Sequence, residues 1–189
     1  MLALSACALS AQAAEPAWPA RPIRFVVPLP PGGGADLVAR TIGEKLNRTL
    51  GQQVIVDNRP GGGTVIGADL VAHAAGDGYT MLLGTATTHA INISLVKKLP
   101  YDPVKDFTPV SLAATVPNLI VVHPSLKAGN VRELVELSKS AQRMGYGTPG
   151  IGSSQQLAAE LFNVMSGARL SHVPYRGLAP AVIALLGGD

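Results

Sequence analysis

The sequence predicts an α/β fold of parallel strands organised as two units. Three observations predict it. Short β-branched or aromatic runs alternate with amphipathic stretches over residues 23–84, joined by short links. Glycine-rich turns stand between strand and helix, at Gly32-Gly33-Gly34 and at Gly61-Gly62-Gly63. The same device returns near residue 150, beyond a proline-marked crossing. A β-α-β-α-β order with short connections means parallel strands and right-handed crossovers.

The chain begins MLALSACALSAQAA, small and apolar, with no charge before Glu15. Ala11-Gln12-Ala13 is a small-x-small cleavage signal, so residues 1–14 are expected to be a secretory leader. The run is too short to span a bilayer as a helix. It lacks a positively charged start, which points to a truncated or misassigned beginning. Leu4-Ser5-Ala6-Cys7 also resembles a bacterial lipoprotein processing site. Both routes place the mature protein outside the cytoplasm.

Residues 23–27 alternate and read as a buried strand, which the prolines after it terminate because Pro has no N–H for a ladder. Gly32, Gly33 and Gly34 follow, and a helix starts near Ala35. Strand, glycine turn and helix in that order leave backbone N–H groups free at a helix N-terminus, which is an anion site by construction. Two nucleotide readings fail here. A dinucleotide fingerprint needs a third glycine where Leu37 stands, and a P-loop needs Gly-Lys-Ser/Thr where Gly34-Ala35-Asp36 stands. Asp36 would repel a polyphosphate. A carboxylate held by a few backbone donors fits better, the alternative being that the glycines only make a tight turn.

Residues 35–50 carry Val38, Ile42, Leu46 and Leu50 on one stripe, with Gly51 as the stop. Asp36 precedes Arg40 by four residues, a favourable pair near the positive helix end. A second strand is expected over 53–56, a second helix over 64–75 and a third strand over 80–84. The usual winding puts the first strand between the other two. Ligands then bind outside the carboxyl ends of strands one and three, where the order reverses. The turn from Pro28 through Pro30 to Asp36 flanks that point, and so do Thr85, Thr87 and Thr88, which add hydroxyl donors. Strand propensity and helix capping are the alternative explanation of those threonines.

Leu99-Pro100-Tyr101-Asp102-Pro103 reads as a rigid, extended crossing between domain 1 (residues 15–100) and domain 2 (residues 101–189). Beyond it, strands are expected over 107–113 and 119–123, and a helix over 131–142 that carries Glu133, Glu136, Lys139 and Arg143 on its wet side. A short strand at 145–147 opens into Thr148-Pro149-Gly150-Ile151-Gly152-Ser153-Ser154 and a helix over 155–165, with Ser153 or Ser154 at its N-cap. A strand over 170–175 and a helix over 180–186 complete the pattern. A β-α repeat that stops on a helix is expected to continue, so the chain reads as a C-terminally shortened one.

Composition excludes several classes. At 47% hydrophobic and 14% charged the chain is globular. A net charge of +3 with no Lys/Arg run argues against nucleic acid, and three Phe, four Tyr and one Trp are too scattered for base stacking or a sugar platform. One cysteine makes no disulfide framework. His73, His89, His123 and His172 show no paired ligand spacing and read as loop or surface histidines, so no metal site and no cofactor is expected.

From Trp18 to Asp189 the chain resembles the Bug-type (TctC-like) solute-binding receptors of tripartite tricarboxylate transporters. The resemblance is carried by Trp18-Pro19-Ala20-Arg21-Pro22-Ile23, the turn from Val27 to Asp36 with Ala39-Arg40, and Val56-Asp57-Asn58-Arg59-Pro60-Gly61. It is also carried by Gly76-Asp77-Gly78-Tyr79-Thr80, Leu99-Pro100-Tyr101-Asp102-Pro103 and His172-Val173-Pro174-Tyr175-Arg176-Gly177. It implies a type II periplasmic-binding-protein-like fold: two doubly wound α/β domains with a ligand cleft between them. It implies a monomeric periplasmic receptor that captures a small carboxylate and delivers it to membrane permease subunits. By the family's pattern, the carboxylate is held by the loop after the first strand, here Gly32 to Asp36, and by the glycine-serine loop of the second domain, here Gly150, Gly152, Ser153 and Ser154.

Two other roles compete. A receptor signalling to a membrane sensor kinase would look the same in sequence. An enzyme would need a nucleophile or acid–base pair, and no G-x-S-x-G elbow exists, Cys7 lies in the leader and no His is spaced beside a carboxylate. No catalytic residue is therefore assigned.

Secreted protein is expected to begin near Ala14 or Glu15 by intact-mass measurement. A lipid on Cys7 would show the lipoprotein route instead.

Overall fold

The computed structural model describes residues 17–140 and 144–189. The expected leader with Ala11-Gln12-Ala13 and Cys7 lies outside the described residues, as do Ala141 and Gln142 at the end of the helix expected over 131–142, and Arg143 beside it.

Strand β1 (Ile23–Val27) leads through the glycine turn into α1 (Gly34–Leu50), then β2 (Val54–Asn58), α2 (Val65–Ala72) and β3 (Thr80–Leu82). The sheet order is β2-β1-β3, all parallel, with Phe25 level with Val56 and Met81. The apolar stripe Val38, Ile42, Leu46 and Leu50 of α1 packs on Ile23, Phe25, Val27 and Val54. Ala39 and Gly43 are buried where the helix crosses the sheet. Helix α1 ends on Gly51 at φ 66°, whose N–H returns to the Asn47 carbonyl at 3.2 Å.

Helix α2 starts and ends inside its expected span of 64–75. Gly61, Gly62 and Gly63 have φ of 128°, 57° and 62°, and Thr64 follows at 77°, so this left-handed run cannot belong to the helix. Gly67 is a close-packing glycine. A Cβ there would meet the Arg59 carbonyl at 2.7 Å and Pro28 Cα at 2.8 Å.

The N-terminal motif and the Gly76–Thr80 motif form one brace. Trp18 packs on Tyr79 with ring centres 6.0 Å apart, and the Arg21 guanidinium stands 4.0 Å over the same ring. The Ala20 N–H donates to the Tyr79 hydroxyl, and Arg21 pairs with Asp77, each at 2.8 Å.

After β3 a π-helical turn, Thr87–Ile91, runs into the single-turn α3 (Asn92–Leu95). The expected extended crossing at residues 99–103 is instead folded back. Asp102 Oδ1 accepts the Val104 and Lys105 N–H groups at 2.9 and 3.1 Å and closes a turn, while Tyr101 is buried and donates to the Thr88 carbonyl at 2.8 Å. A short acceptor side chain that offers local bonds to its own backbone overrides the stiffness of the prolines.

The expected strands over 107–113 and 119–123 do not form. Val110 is 89% exposed and Leu119 80% exposed, and no strand among the described residues lies beside either segment. β-Branched composition favours a strand only where a neighbouring edge completes the ladder.

The second unit begins with α4 (Val131–Ser140) and pairs β4 (Met144–Thr148) with β5 (Leu170–Pro174) in parallel, Tyr146 level with His172. Helix α5 (Ser154–Ser166) connects the two strands, and α6 (Leu178–Gly187) follows β5. No helix of the described residues is long and apolar enough to cross a membrane.

Gly67→Ala is expected to destabilise the protein by about 1–3 kcal/mol, because the methyl meets backbone and not a flexible side chain. A denaturant midpoint unchanged from the parent would show that α2 does not press on β1 this closely.

Candidate functional site

The carboxyl ends of β1 and β3 adjoin at the switch point, and the first glycine turn rises from one of them. Its shape is held from below by Asp36. The Asp36 side chain is 7% exposed, and Oδ2 accepts the Gly32 N–H and Arg40 Nε, each at 3.0 Å. Oδ1 accepts Asn58 Nδ2 at 3.1 Å. Asn58 also donates to the Leu29 carbonyl at 3.1 Å, and Arg40 donates to Asn58 Oδ1 at 3.2 Å. The Arg40 hydrogen bond holds the Asp36 carboxyl below the usual carboxylate range against the opposing effect of burial, and the bonds from Gly32 and Asn58 add to it. The carboxylate is thus turned into the turn, while the backbone faces out.

What faces out is a helix start without a side-chain cap at Gly33. The N–H groups of Gly33, Gly34, Ala35 and Asp36 are the four that the α1 ladder leaves unpaired, and the partial positive charge of the helix lies there. No atom stands within 4 Å of where a Cβ on Gly32, Gly33 or Gly34 would be, so the turn borders open space.

The threonines close the other side. Thr85 and Thr88 cap each other: the Thr85 N–H donates to Thr88 Oγ1 at 2.8 Å, and the Thr88 N–H to Thr85 Oγ1 at 3.3 Å. Thr88 is fully buried, with its hydroxyl 2.9 Å from the Thr85 carbonyl and 2.7 Å from His89 Nδ1. Thr87 Oγ1, also buried, donates across to the Gly152 carbonyl at 3.4 Å. The three hydroxyls bond within the loop and to the second unit.

His89 is not a surface histidine. Its ring stands edge-on to Phe107 at 4.9 Å, and a Cβ on Gly84 would lie 2.8 Å from it. Burial pushes the His89 imidazole below its ordinary value, opposed by a hydrogen bond with Thr85. His172 also leaves the expected class, as its Nε2 lies 2.6 Å from the buried Thr148 hydroxyl. Neither role is legible from spacing, because each partner belongs to a loop or strand reached only through the fold. Among the described residues no cluster of three or more His, Cys, Asp or Glu gathers as metal ligands.

In the second glycine turn, Gly150 and Gly152 have φ of 149° and 77°. Ser153 is the N-cap of α5, its Oγ accepting the Gln156 N–H at 3.2 Å, and Gln156 Oε1 accepts the Gly152 N–H at 2.7 Å. The N–H groups of Ser154 and Gln155 stay outside both the cap and the helix ladder. The turn lies against the first unit. A Cβ on Gly152 would lie 2.9 Å from Leu95 Cδ1, a Cβ on Gly63 4.0 Å from the Ile151 carbonyl, and a Cβ on Gly177 3.4 Å from Pro30 Cγ. The structure so brings Pro30, Thr87 and the Gly150–Ser153 turn to one seam between the two sheets.

Two residues of this seam take roles that only the fold reveals, although Asn58 belongs to the Val56–Gly61 motif. Asn92 is 2% exposed and donates to the Gly63 carbonyl at 3.0 Å, which fixes the left-handed run Gly62-Gly63-Thr64 beside the second unit. Asn58 ties β2 to the first glycine turn through its bonds to Leu29 and Asp36.

Comparison with known proteins adds an independent line. The family model "Tripartite tricarboxylate transporter family receptor" matches residues 38–189. The protein BugT of Bordetella pertussis is 38% identical over 187 residues, covering 98% of this chain and 57% of BugT. A solved structure of R. palustris Rpa4515 with adipate superposes with a TM-score of 0.87 at 40% identity, over 90% of this chain and 57% of that one. MatC of Rhodopseudomonas palustris with bound malate gives 0.82 at 35% identity, over 90% and 58%. The chain thus spans a little over half the length of these relatives.

Asp36→Asn is expected to destabilise by about 1–3 kcal/mol, since Arg40 and the Gly32 N–H lose a charged acceptor. The Asp36 carboxyl has a lowered folded value, so its contribution is complete above the ordinary value of 3.8 and drains away as pH falls toward the folded one. Stability measured against pH should lose part of its acid limb in Asp36→Asn. An acid limb identical to the parent's would remove Asp36 from this role.

Proposed function

The chain belongs to the tripartite tricarboxylate transporter receptor family, and from that membership we propose that it is a periplasmic receptor for a small carboxylate. In this reading the carboxylate sits between the first glycine turn and the N-terminus of α5, and the loaded receptor passes it to membrane permease subunits. One observation carries the reading: two uncapped or partly capped helix starts, at Gly34 and Ser154, rise from turns gathered at one seam.

The physical argument is short. Each start offers unpaired N–H groups and about half a positive charge. A carboxylate bonded to both couples binding to the approach of the two units, so affinity and closure become one event. Backbone donors recognise the carboxylate group without a charged side chain. The ligands carried by the two related structures, adipate and malate, are small dicarboxylic acids, which supports the class proposed for this chain.

Titration calorimetry with malate and adipate tests this. Ser154→Ala, which leaves the Ser153 cap intact, should weaken binding by about 1 kcal/mol at most, the scale of one hydrogen bond. Gly34→Ala should bind nearly as the parent does, because its methyl enters open space. Gly34→Asp occupies the same space with a like charge and should lose several kcal/mol. Tight binding by Gly34→Asp would mean that the ligand is not held at this turn. In a thermal-shift screen, a carboxylate at 100-fold over its Kd should stabilise by roughly 2.7 kcal/mol. A parent protein that responds to no small carboxylate would overturn the proposal.

A further inference from the structure

The buried Thr148 hydroxyl at the end of β4 joins the strand pair to the second glycine turn. Thr148 is 2% exposed. Its Oγ1 lies 3.2 Å from the Gly150 carbonyl, accepts the Gly150 N–H at 3.3 Å and stands 2.6 Å from His172 Nε2. A hydroxyl has one hydrogen, and two acceptors compete for it here if Nε2 is bare. If Nε2 carries a hydrogen, the conflict vanishes. His172 then donates to Thr148, and Thr148 gives its own hydrogen to the Gly150 carbonyl. In that arrangement the hydroxyl uses all three of its contacts at once, accepting from His172 and the Gly150 N–H and donating to the Gly150 carbonyl.

The ring is held for this task. His172 lies level with Tyr146 on the neighbouring strand, and the two rings stack with centres 5.2 Å apart and a tilt of 30°. The Tyr146 hydroxyl donates to Glu160 of α5, so strand, ring and helix are tied together. The Gly150 carbonyl that Thr148 holds also accepts the Ser153 N–H at 3.3 Å, and Ser153 is the cap of α5.

We infer that His172 is a positioning residue for the ligand turn: through its Nε2–H it sets the Thr148 hydroxyl on the Gly150 carbonyl and so fixes the helix start that meets the carboxylate. The last step rests on the receptor reading above; the orientation of the turn does not.

The test has two arms. In ligand-free protein, long-range 1H–15N NMR is expected to show hydrogen on Nε2 of His172. Hydrogen exchange of the Gly150 and Ser153 amides should quicken in His172→Phe and Thr148→Val and stay slow in His172→Gln, whose amide nitrogen can replace Nε2 as donor. A bare Nε2, or equal exchange in His172→Phe and parent, overturns the inference, and the first of these needs no variant to fold. In the second arm, malate and adipate should bind His172→Phe about tenfold more weakly and His172→Gln nearly as the parent. Thr148→Val with His172→Phe should be no worse than either alone, because one chain of bonds is lost once. If the parent binds neither acid, the receptor reading fails in this arm while the first arm still decides on His172.

Discussion

Everything at the first turn depends on a carboxylate that is turned inward. Asp36 lies almost wholly buried beneath the glycines, and burying a charge is costly unless every oxygen is met. Here both are met, by a backbone N–H, a guanidinium and an amide. Because Arg40 is one turn along the same helix and Asn58 ends the next strand, the ion pair binds three elements at one point. The motifs Asp36 to Arg40 and Val56 to Gly61 thus belong to a single construction. Its product is a turn with the Gly32 N–H held inward on Asp36 and the N–H groups at the start of α1 left outside the helix ladder.

The second constraint is the division of labour among glycines. Gly67 and Gly84 sit where a Cβ would strike a neighbour, so they let helix and ring come close. Gly32, Gly33 and Gly34 border empty space, and only Gly32 has positive φ. Packing does not demand glycine at 33 and 34. In the proposed site a large or acidic side chain there would stand between backbone and anion, while a single methyl at 34 enters open space. The Gly61–Gly63 run is a third kind: it adopts the left-handed conformation and carries Thr64 with it, a strained residue held by the buried Asn92.

Local pattern made the first unit legible. The alternation of residues 23–27, the stripe at Val38, Ile42, Leu46 and Leu50, and the stop at Gly51 are each set by neighbours in sequence, and the strand order followed from the usual winding of β-α-β-α-β units. Where distant residues decide, the reading failed. Residues 107–113 and 119–123 have strand composition and no strand beside them among those described. Tyr101 looked like part of a stiff link and is instead an anchor on the Thr88 carbonyl. The glycine turns could be named as a candidate site because a backbone site needs only chain geometry, which glycine and proline announce. The roles of Asn92, His89 and His172 could not, because a side chain's partner across a fold leaves no periodic trace.

A site made of backbone donors has a consequence for selectivity. N–H groups at a helix start distinguish a carboxylate from a neutral group, since both the hydrogen bonds and the partial charge favour the anion. They do not measure what is attached to it. In the proposed receptor, discrimination among acids comes from the spacing of the two turns and from the walls between them. The spacing is governed by contacts that touch no ligand: the Thr87 hydroxyl on the Gly152 carbonyl, Leu95 against Gly152, and Gly177 against Pro30. Thr87 belongs to the switch-point loop that Tyr101 and the paired Thr85 and Thr88 hold rigid. Substitutions at these positions should therefore alter which acid is preferred more than whether an acid is bound. That separates them from Gly34, where in the proposed site an added charge meets the anion directly.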